Sequence, residues 1–295
     1  MDEGTGRTRA RARQWREVAV RHFVRDGYLY DWLLAIALIV VNFTIPGPVI
    51  KPLRRAYVPG DPSLSYPSVH VPLTENQKFW IEFATPAVVG AAAQFLRFGV
   101  AAGDRALDWH HLMLSTLEAF AVESSFKKWM NLVGRLRPDW FARLATHDPS
   151  TIDEGRYSYP SGHAAEFFAV FTVLTLWLCS RTRLFVSPRP GHFAVAVLCL
   201  LPLGLAAFIT MSRLAGYKHD FSDVNCGMAI GLLSGAFAFA LNYPSPLDAA
   251  CGAPRRRGEA AAAAATGGKR RGGVGAGEPE GLPGGVEAPL LEGEA

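Results

Sequence analysis

Residues 190–225 read PGHFAVAVLCLLPLGLAAFITMSRLAGYKHDFSDVN. The first 23 of these residues, 190–212, contain no Asp, Glu, Lys or Arg. A helix rises about 1.5 Å per residue, so a run of this length crosses the roughly 30 Å hydrocarbon layer of a membrane. Polar residues begin where the apolar run ends. The stretch therefore predicts a transmembrane helix that ends in a polar site at the membrane surface.

The polar part of this stretch has the spacing S-R-x5-H-x3-D, formed by Ser212, Arg213, His219 and Asp223. Residues four apart share a helix face, so the Asp223 carboxylate can hold one imidazole nitrogen of His219 while the other points outward. A histidine oriented in this way is prepared as a nucleophile. Arg213 adds a permanently charged, planar group that suits a phosphoryl ligand. The pattern therefore indicates phosphoryl chemistry.

Two further motifs lie upstream, GRLRP at residues 134–138 and YPSGH at residues 159–163. In this order, the three motifs resemble those of the type 2 phosphatidic acid phosphatase family, the lipid phosphate phosphatases. The resemblance runs from about residue 31 to residue 246 and includes the loop GDPSLSYP at residues 60–67. Each motif lies at the end of a hydrophobic segment, which makes the combination specific.

The resemblance implies a role for each of five residues. His219 attacks phosphorus and becomes a phosphohistidine, which water then hydrolyses, and Asp223 orients the ring. His163 is the general acid that protonates the leaving alkoxide. Arg137 and Arg213 bind the non-bridging oxygens of the phosphoryl group.

Ser161 and Gly162 precede His163 at a predicted helix start, with Ser161 at or near the N-cap. Backbone N–H groups are unpaired at a helix start, and the helix dipole is positive there. Glycine also permits close approach of a ligand to the backbone. We therefore predict that Ser161 and Gly162 help to bind the phosphate.

The chain departs from the family pattern at Met130, where the family has a lysine seven residues before the arginine of Arg-Pro. Lys127 lies about 60° from the face of Met130 on a helix with 100° per residue. We therefore include Lys127 among the phosphate-binding candidates. The alternative is an ion pair with Glu123, four residues earlier. We interpret Arg135 as an arginine at the end of a span, with a side chain that extends toward the lipid headgroups.

The hydrophobic pattern predicts an all-α, polytopic membrane protein. Seven arginines precede the first span, and Arg181, Arg183 and Arg189 lie between the fourth and fifth, which places both regions on the cytosolic side. All three motifs then meet at the non-cytosolic membrane face, where a proline-rich loop between spans 1 and 2 is expected to cover part of the site. The six predicted spans are residues 32–45, 79–98, 109–133, 163–180, 192–211 and 223–243.

Composition divides the 295-residue chain into three parts. Residues 1–30 form a basic cytosolic segment, residues 31–246 a six-helix membrane domain, and residues 247–295 a disordered, low-complexity cytosolic tail. An arginine run is also typical of nucleic-acid binding, but no nucleic-acid-binding fold accompanies it, so we exclude nucleic acid as a partner. The four cysteines suggest no disulfide framework.

Neither a metal nor another cofactor is expected, because no cluster of carboxylates or histidines has metal-ligand spacing. The carboxylates before the second motif are interpreted as part of a solvated loop; they are Asp148, Asp153 and Glu154. On this interpretation arginines and backbone amides hold the phosphate, and no metal is required.

The predicted function is that of a multi-pass enzyme of the plasma membrane or an endomembrane, with both termini cytosolic. Its expected partners are the bilayer and a lipid phosphate substrate such as phosphatidate, lysophosphatidate, a sphingoid-base phosphate or diacylglycerol pyrophosphate. One alternative keeps the site but acts on an isoprenoid pyrophosphate or a sugar phosphate. Another is a non-catalytic membrane relative that binds phospholipids.

Overall fold

The computed structural model describes residues 21–69, 73, 75–95 and 105–257. Three predictions lie wholly or partly outside these residues: the N-terminal segment through residue 20, the end of the second span near Arg97, and the tail beyond residue 257. The chain divides into two compact units, Met1–Arg255 and Arg256–Ala295, and every helix described below belongs to the first.

The described residues form helices, turns and loops without strands, apart from one isolated bridge between Pro46 and Ile50. The short turns are a π-helical turn at Arg21–Arg25 and 3-10 turns at Pro62–Leu64 and Asn131–Val133. In chain order the α-helices are α1 (Tyr28–Thr44), α2 (Glu75–Phe95), α3 (Arg105–Met130), α4 (Trp140–Leu144), α5 (Pro149–Glu154), α6 (Gly162–Arg181), α7 (His192–Ala215) and α8 (Phe221–Asn242).

Three of these helices, α6, α7 and α8, are long and apolar enough to cross a membrane. Helix α1 is also apolar but has 17 residues. The prediction of an all-helical chain is thus confirmed for the described residues, and three of its helices are candidates for membrane spans. Each of the six predicted spans overlaps one of the long helices, but six crossings remain a prediction.

Helix α6 lies at the centre of the bundle, with almost its whole length buried. Its closest partner is α8, which presents Gly227, Gly231 and Gly235 at every fourth position. A Cβ atom at Gly231 would lie 2.5 Å from the carbonyl oxygen of Ala165. Only glycine therefore permits this short distance between α6 and α8, at which the two backbones are in direct contact. Small residues have the same role between membrane helices.

A buried carboxylate, Asp108, connects four helices at the opposite end of the bundle from the motifs. It accepts hydrogen bonds from Gln94 of α2 (2.7 Å) and Trp177 of α6 (3.2 Å). Tyr243, which follows α8, also donates to it, at 3.3 Å. Because Asp108 itself belongs to α3, these bonds hold α2, α3, α6 and the end of α8 together.

The proline-rich loop after α1 lies against the segments that carry the motifs. The backbone N–H of Leu53 donates to Leu132 (2.8 Å), and that of Tyr66 donates to Pro138 (3.2 Å). The Tyr66 ring also stacks on Tyr217, with ring centroids 4.6 Å apart. The loop is therefore ordered beside the candidate site.

Candidate active site

Backbone hydrogen bonds bring the three motifs together at one end of the bundle. The N–H of Ser158 donates to the carbonyl of Arg135 at 3.1 Å, which joins the first and second motifs. The N–H of Ser161 donates to the carbonyl of Asp223 at 2.9 Å, which joins the second and third. Segments far apart in the sequence therefore form one site.

His219 is buried and lies in a bend just before α8. Its Nδ1 is 2.8 Å from the carbonyl oxygen of Ser158. A carbonyl oxygen can only accept, so Nδ1 carries the proton and Nε2 keeps its lone pair. Burial and then the charge of Arg137 lower the pKa of His219 well below its usual value, against the opposing hydrogen bond to Ser158. The ring is therefore a neutral imidazole, the form that can act as a nucleophile.

The structure corrects the predicted contact between Asp223 and His219. The Asp223 Oδ2 is 3.9 Å from His219 Nδ1, too long for a hydrogen bond. Instead it accepts from the Ser158 hydroxyl (2.6 Å) and the Asp220 backbone N–H (3.0 Å). The reason is that α8 begins at Phe221, so His219 does not share a helix face with Asp223. Asp223 therefore orients Ser158, whose carbonyl holds the histidine.

The structure also corrects the prediction for Arg135, whose side chain does not extend toward the headgroups. Its guanidinium pairs with Asp220 at 2.7 Å and with the buried Asp223 at 2.8 Å. Arg135 thus anchors the start of α8 to the first motif. The presence of two aspartates beside His219 was the sequence signal for this pairing.

Arg137 and Arg213 lie close enough to His219 for their charges to act on it. Arg213 is buried in the last turn of α7. Arg137 pairs with Glu154 at 2.9 Å. Glu154 is exposed, as predicted, but it ends the short helix α5 and does not lie in a loop. Partial burial by itself would raise the pKa of Glu154, but the charges of Arg137 and Arg143 outweigh this effect and lower the pKa.

Ser161, Gly162 and His163 form the start of α6, with Ser161 at the N-cap and Gly162 as the first helical residue. The Ser161 hydroxyl oxygen and His163 Nε2 are buried and form no hydrogen bond with any described residue. Buried polar atoms are rarely left without a partner. A ligand that supplies acceptor or donor oxygens is therefore expected here.

Lys127 lies against this helix start, since a Cβ atom at Gly162 would be 3.9 Å from its Nζ. The lysine is buried and forms an ion pair with Glu166 of α6, and Glu123 lies 3.6 Å away. Glu166 also pairs with Lys78 of α2. The structure thus places Lys127 beside the site, with its charge shared with two carboxylates. The contributions of Lys78 and Glu166 were not predicted, because the sequence motifs do not include them.

Asp139 fixes the loop that carries His219. It accepts a hydrogen bond from Lys218, the preceding residue, at 3.0 Å and from Arg143 at 2.7 Å. Burial would raise the pKa of Asp139, but these two cations outweigh it and lower the pKa. This contact also was not predicted from the sequence.

Within the described ranges, no group of three or more His, Cys, Asp and Glu side chains is arranged to hold a metal ion. The cationic groups at the site are instead Arg137, Arg213, Lys78 and Lys127. Such an arrangement can bind a phosphoryl group through fixed positive charge.

Comparison with known proteins matches residues 108–245 to the PAP2 superfamily. A PA-phosphatase related-family protein of Dictyostelium discoideum is 32% identical over 78% of this chain and 85% of its own length. Lipid phosphate phosphatase 2 of Arabidopsis thaliana is 31% identical over 75% of this chain and 79% of its own. Diacylglycerol pyrophosphate phosphatase 1 of Saccharomyces cerevisiae is 28% identical over 75% of this chain and 81% of its own length.

No solved structure matches the chain significantly. The family assignment rests on the sequence matches, which extend from α3 through α8 and so include all three motifs. This chain belongs to the PAP2 superfamily.

Proposed function

We propose that the protein is an integral membrane lipid phosphate phosphatase that hydrolyses phosphatidate and related lipid phosphomonoesters. The observation that carries this proposal is the neutral His219 ring, whose Nδ1 is hydrogen-bonded to the Ser158 carbonyl at 2.8 Å. Nε2 is then the nucleophilic atom, and the charges of Arg137 and Arg213 act at the same place. The names of the relatives, which refer to lipid phosphate and to diacylglycerol pyrophosphate, favour a lipid substrate.

In the first step, the lone pair of His219 Nε2 forms a bond to phosphorus, and the bond from phosphorus to the ester oxygen breaks. The departing alkoxide takes a proton from His163, whose Nε2 has no partner among the described residues. In the second step, water attacks the phosphohistidine and gives a proton to His163. Phosphate leaves, and both histidines return to their starting forms.

Arg137 and Arg213 bind the non-bridging oxygens and stabilise the charge that spreads over the phosphoryl group during transfer. The start of α6 adds the Gly162 N–H and the positive end of the helix dipole. Ser161 adds its hydroxyl, because its own N–H is donated to the Asp223 carbonyl. Lys127 supports this helix start from behind Gly162. Asp223 acts on His219 through Ser158.

In the bilayer, we propose that all six long helices cross the membrane and form one domain over residues 31–246. The basic segment 1–30 and the low-complexity tail 247–295 are then both cytosolic, and the site lies at the non-cytosolic face. The arginines at 181, 183 and 189 support this orientation through the positive-inside rule.

Phosphate release from micellar phosphatidate by the purified full-length chain tests the proposal. His219→Ala should reduce kcat/KM by at least about 10³-fold, because the change removes the proposed nucleophile. His147→Asn, a change at an exposed histidine outside the site, is the matched control and should retain activity. Equal activity of His219→Ala and the unaltered chain would contradict the proposed nucleophile.

Two further measurements define the reaction. We expect activity to persist in excess EDTA, because arginines and backbone amides supply the positive charge. A strict requirement for added magnesium would contradict this part of the proposal. Faster hydrolysis of an isoprenoid pyrophosphate or a sugar phosphate would place the enzyme in another substrate class, and no hydrolysis of any substrate would favour a phospholipid-binding role.

A further inference from the structure

A cavity of about 450 Å³ lies at the end of α1. None of the residues proposed for catalysis lines it. Helix α1 and the turn after it form one side, while α3 and the loop before α6 form the other. The lining residues that matter here are Phe43, Gly47, Lys51, Lys128, Asn131 and Tyr157.

The wall after α1 is a hydrogen-bonded turn. The Gly47 N–H donates to the carbonyl of Ile50, and the Ile50 N–H donates back to Ile45, each at 2.9 Å. Gly47 has a φ of +101°, which favours glycine, and a Cβ atom there would lie 3.4 Å from the Tyr157 hydroxyl. The two sides of the cavity are therefore held close together by ordered backbone.

The polar groups of this cavity are cationic or neutral, since none of its lining residues is acidic. Lys51 and Lys128 form no ion pair with any described residue. The Lys128 Nζ lies 3.9 Å from the centre of the Phe43 ring, a cation–π contact rather than an ion pair. Tyr157 forms no hydrogen bond through its hydroxyl with the described part of the chain. Two positive charges and a phenol without partners are suited to an anion.

The position of the cavity indicates the source of that anion. Helix α1 exposes the apolar side chains Val40, Val41 and Phe43 in the turn that leads to the cavity. These side chains suit contact with acyl chains. Lys51 lies beyond the end of α1 and Lys128 lies in the last turn of α3, so both can reach the depth of the lipid headgroups. A bound lipid can therefore place its chains along α1 and its phosphate between the lysines.

We propose that this cavity binds the phosphate of an anionic membrane lipid, at a site separate from the catalytic one. Free phosphate shares the relevant chemistry, but it would leave the adjacent apolar surface of α1 unused. Asn131 connects the two sites, because it lines the cavity and its side-chain amide donates to the Tyr159 carbonyl at 2.9 Å. The inference requires a membrane location but does not depend on the phosphohistidine reaction.

The test measures binding of phosphatidylglycerol, a phosphodiester lipid, to the full-length chain in a neutral detergent by native mass spectrometry. We expect Lys51→Gln combined with Lys128→Gln to weaken binding roughly thirty-fold, since each lysine near a membrane surface contributes about a five-fold effect. Arg55→Gln removes one positive charge from the same exposed loop outside the cavity, so it is the matched control and should bind normally. Equal binding by the double variant and the unaltered chain would overturn the proposal.

Further binding measurements identify the ligand and distinguish lipid binding in this cavity from catalysis. Phosphatidylcholine should bind more weakly than phosphatidylglycerol, and millimolar inorganic phosphate should not displace the lipid. Displacement by inorganic phosphate would overturn the assignment to a lipid. Lys51→Gln alone changes an exposed loop residue, so it provides the test, with about a five-fold loss, if the double variant does not fold. The same loss in a His219→Ala background would show that the result is independent of the proposed reaction.

Discussion

The carbonyl oxygen of Ser158 lies 2.8 Å from His219 Nδ1 and thereby determines which nitrogen of the imidazole carries the proton. The same residue donates its hydroxyl to Asp223 at 2.6 Å. Ser158 therefore connects the carboxylate to the histidine through its own side chain and backbone. This arrangement keeps the lone pair on Nε2 without a direct hydrogen bond from aspartate to histidine.

The pH dependence of activity should report this environment. Burial and Arg137 lower the pKa of His219, so the ring stays neutral as the pH falls through its usual value of about 6.5. The acid limb of kcat/KM that belongs to His219 should therefore have its midpoint below pH 6.5. Measurement of kcat/KM for phosphatidate between pH 4 and 9 checks this, and a midpoint above 6.5 would contradict it.

Arg137→Gln should move the same limb to higher pH. Removal of a neighbouring positive charge makes protonation of His219 easier, which raises its pKa and inactivates the nucleophile at a higher pH. The overall rate should also fall, so the normalised profiles are the quantity to compare. Arg54→Gln, a change at an exposed arginine, should leave the profile unchanged. An unshifted profile in Arg137→Gln would show that this charge does not act on His219.

Arg135 should act by positioning α8 rather than by contact with phosphate. Its guanidinium holds Asp220 and Asp223 at 2.7 and 2.8 Å, so Arg135→Gln should loosen the carboxylate that orients Ser158. We expect kcat to fall about 10- to 100-fold, by analogy with residues that orient metal ligands, with little change in KM. Arg135→Lys should restore part of kcat. A rise in KM at constant kcat would instead indicate direct substrate binding.

The sequence predicted the positions of the long helices because uncharged runs and motif ends are visible in it. It could not predict the contact between Ser158 and His219. That contact depends on where α8 begins, and the i,i+4 pairing with Asp223 assumed a helix start two residues too early. No sequence motif indicated the ion pair of Lys78 with Glu166, because no local pattern connects α2 to α6.

The close helix contact made by the glycines of α8, unlike the contacts of Ser158 and Lys78, is indicated by the sequence. Gly227, Gly231 and Gly235 recur every four residues, a spacing typical of close helix contacts in membranes. The spacing alone does not identify the partner helix, which the structure shows to be α6. This contact brings together the starts of α6 and α8, which carry the ends of the second and third motifs.

Gly231→Ala should therefore disrupt folding more than an equivalent change elsewhere. Its methyl group would lie 2.5 Å from the Ala165 carbonyl oxygen, so the two helices must separate. Gly204→Ala in α7 is the matched control, because a Cβ atom there meets nothing within 4 Å. We expect a lower melting temperature in detergent and lower activity for Gly231→Ala alone. Equal melting temperatures for the two variants would contradict the close packing of α6 and α8.

The proposed orientation predicts which positions an impermeant thiol reagent can reach in sealed cells. Leu144→Cys and Ser65→Cys should be labelled from the non-cytosolic side, whereas Thr182→Cys should be labelled only after permeabilisation. The parent chain, with its four native cysteines, provides the background signal. Labelling of Thr182→Cys with protection of Leu144→Cys would invert the proposed topology.

Lys127 should contribute first to stability. It is buried against Glu166 and Glu123, so Lys127→Met leaves two buried carboxylates with less compensation. The loss of one partner from a buried ion pair costs roughly 3 to 5 kcal/mol, and the melting temperature in detergent should fall accordingly. Lys127→Met combined with Glu166→Gln should recover part of that loss. A stable Lys127→Met variant with about 10²-fold lower kcat/KM would instead identify Lys127 as a direct phosphate ligand.

Met130→Lys tests whether the site lacks the cation that the resemblance to lipid phosphate phosphatases leads one to expect. The charges of Lys127 and Lys78 are shared with Glu166, so a phosphate ligand receives only part of their attraction. A lysine at Met130, a half-buried position one turn from Lys127, should add an uncompensated charge and raise kcat/KM for phosphatidate by up to about ten-fold. Val133→Lys places the same charge at an exposed neighbouring position and should have little effect. Unchanged or lower activity in Met130→Lys would show that Arg137, Arg213 and the shared lysines already supply the positive charge that the reaction needs.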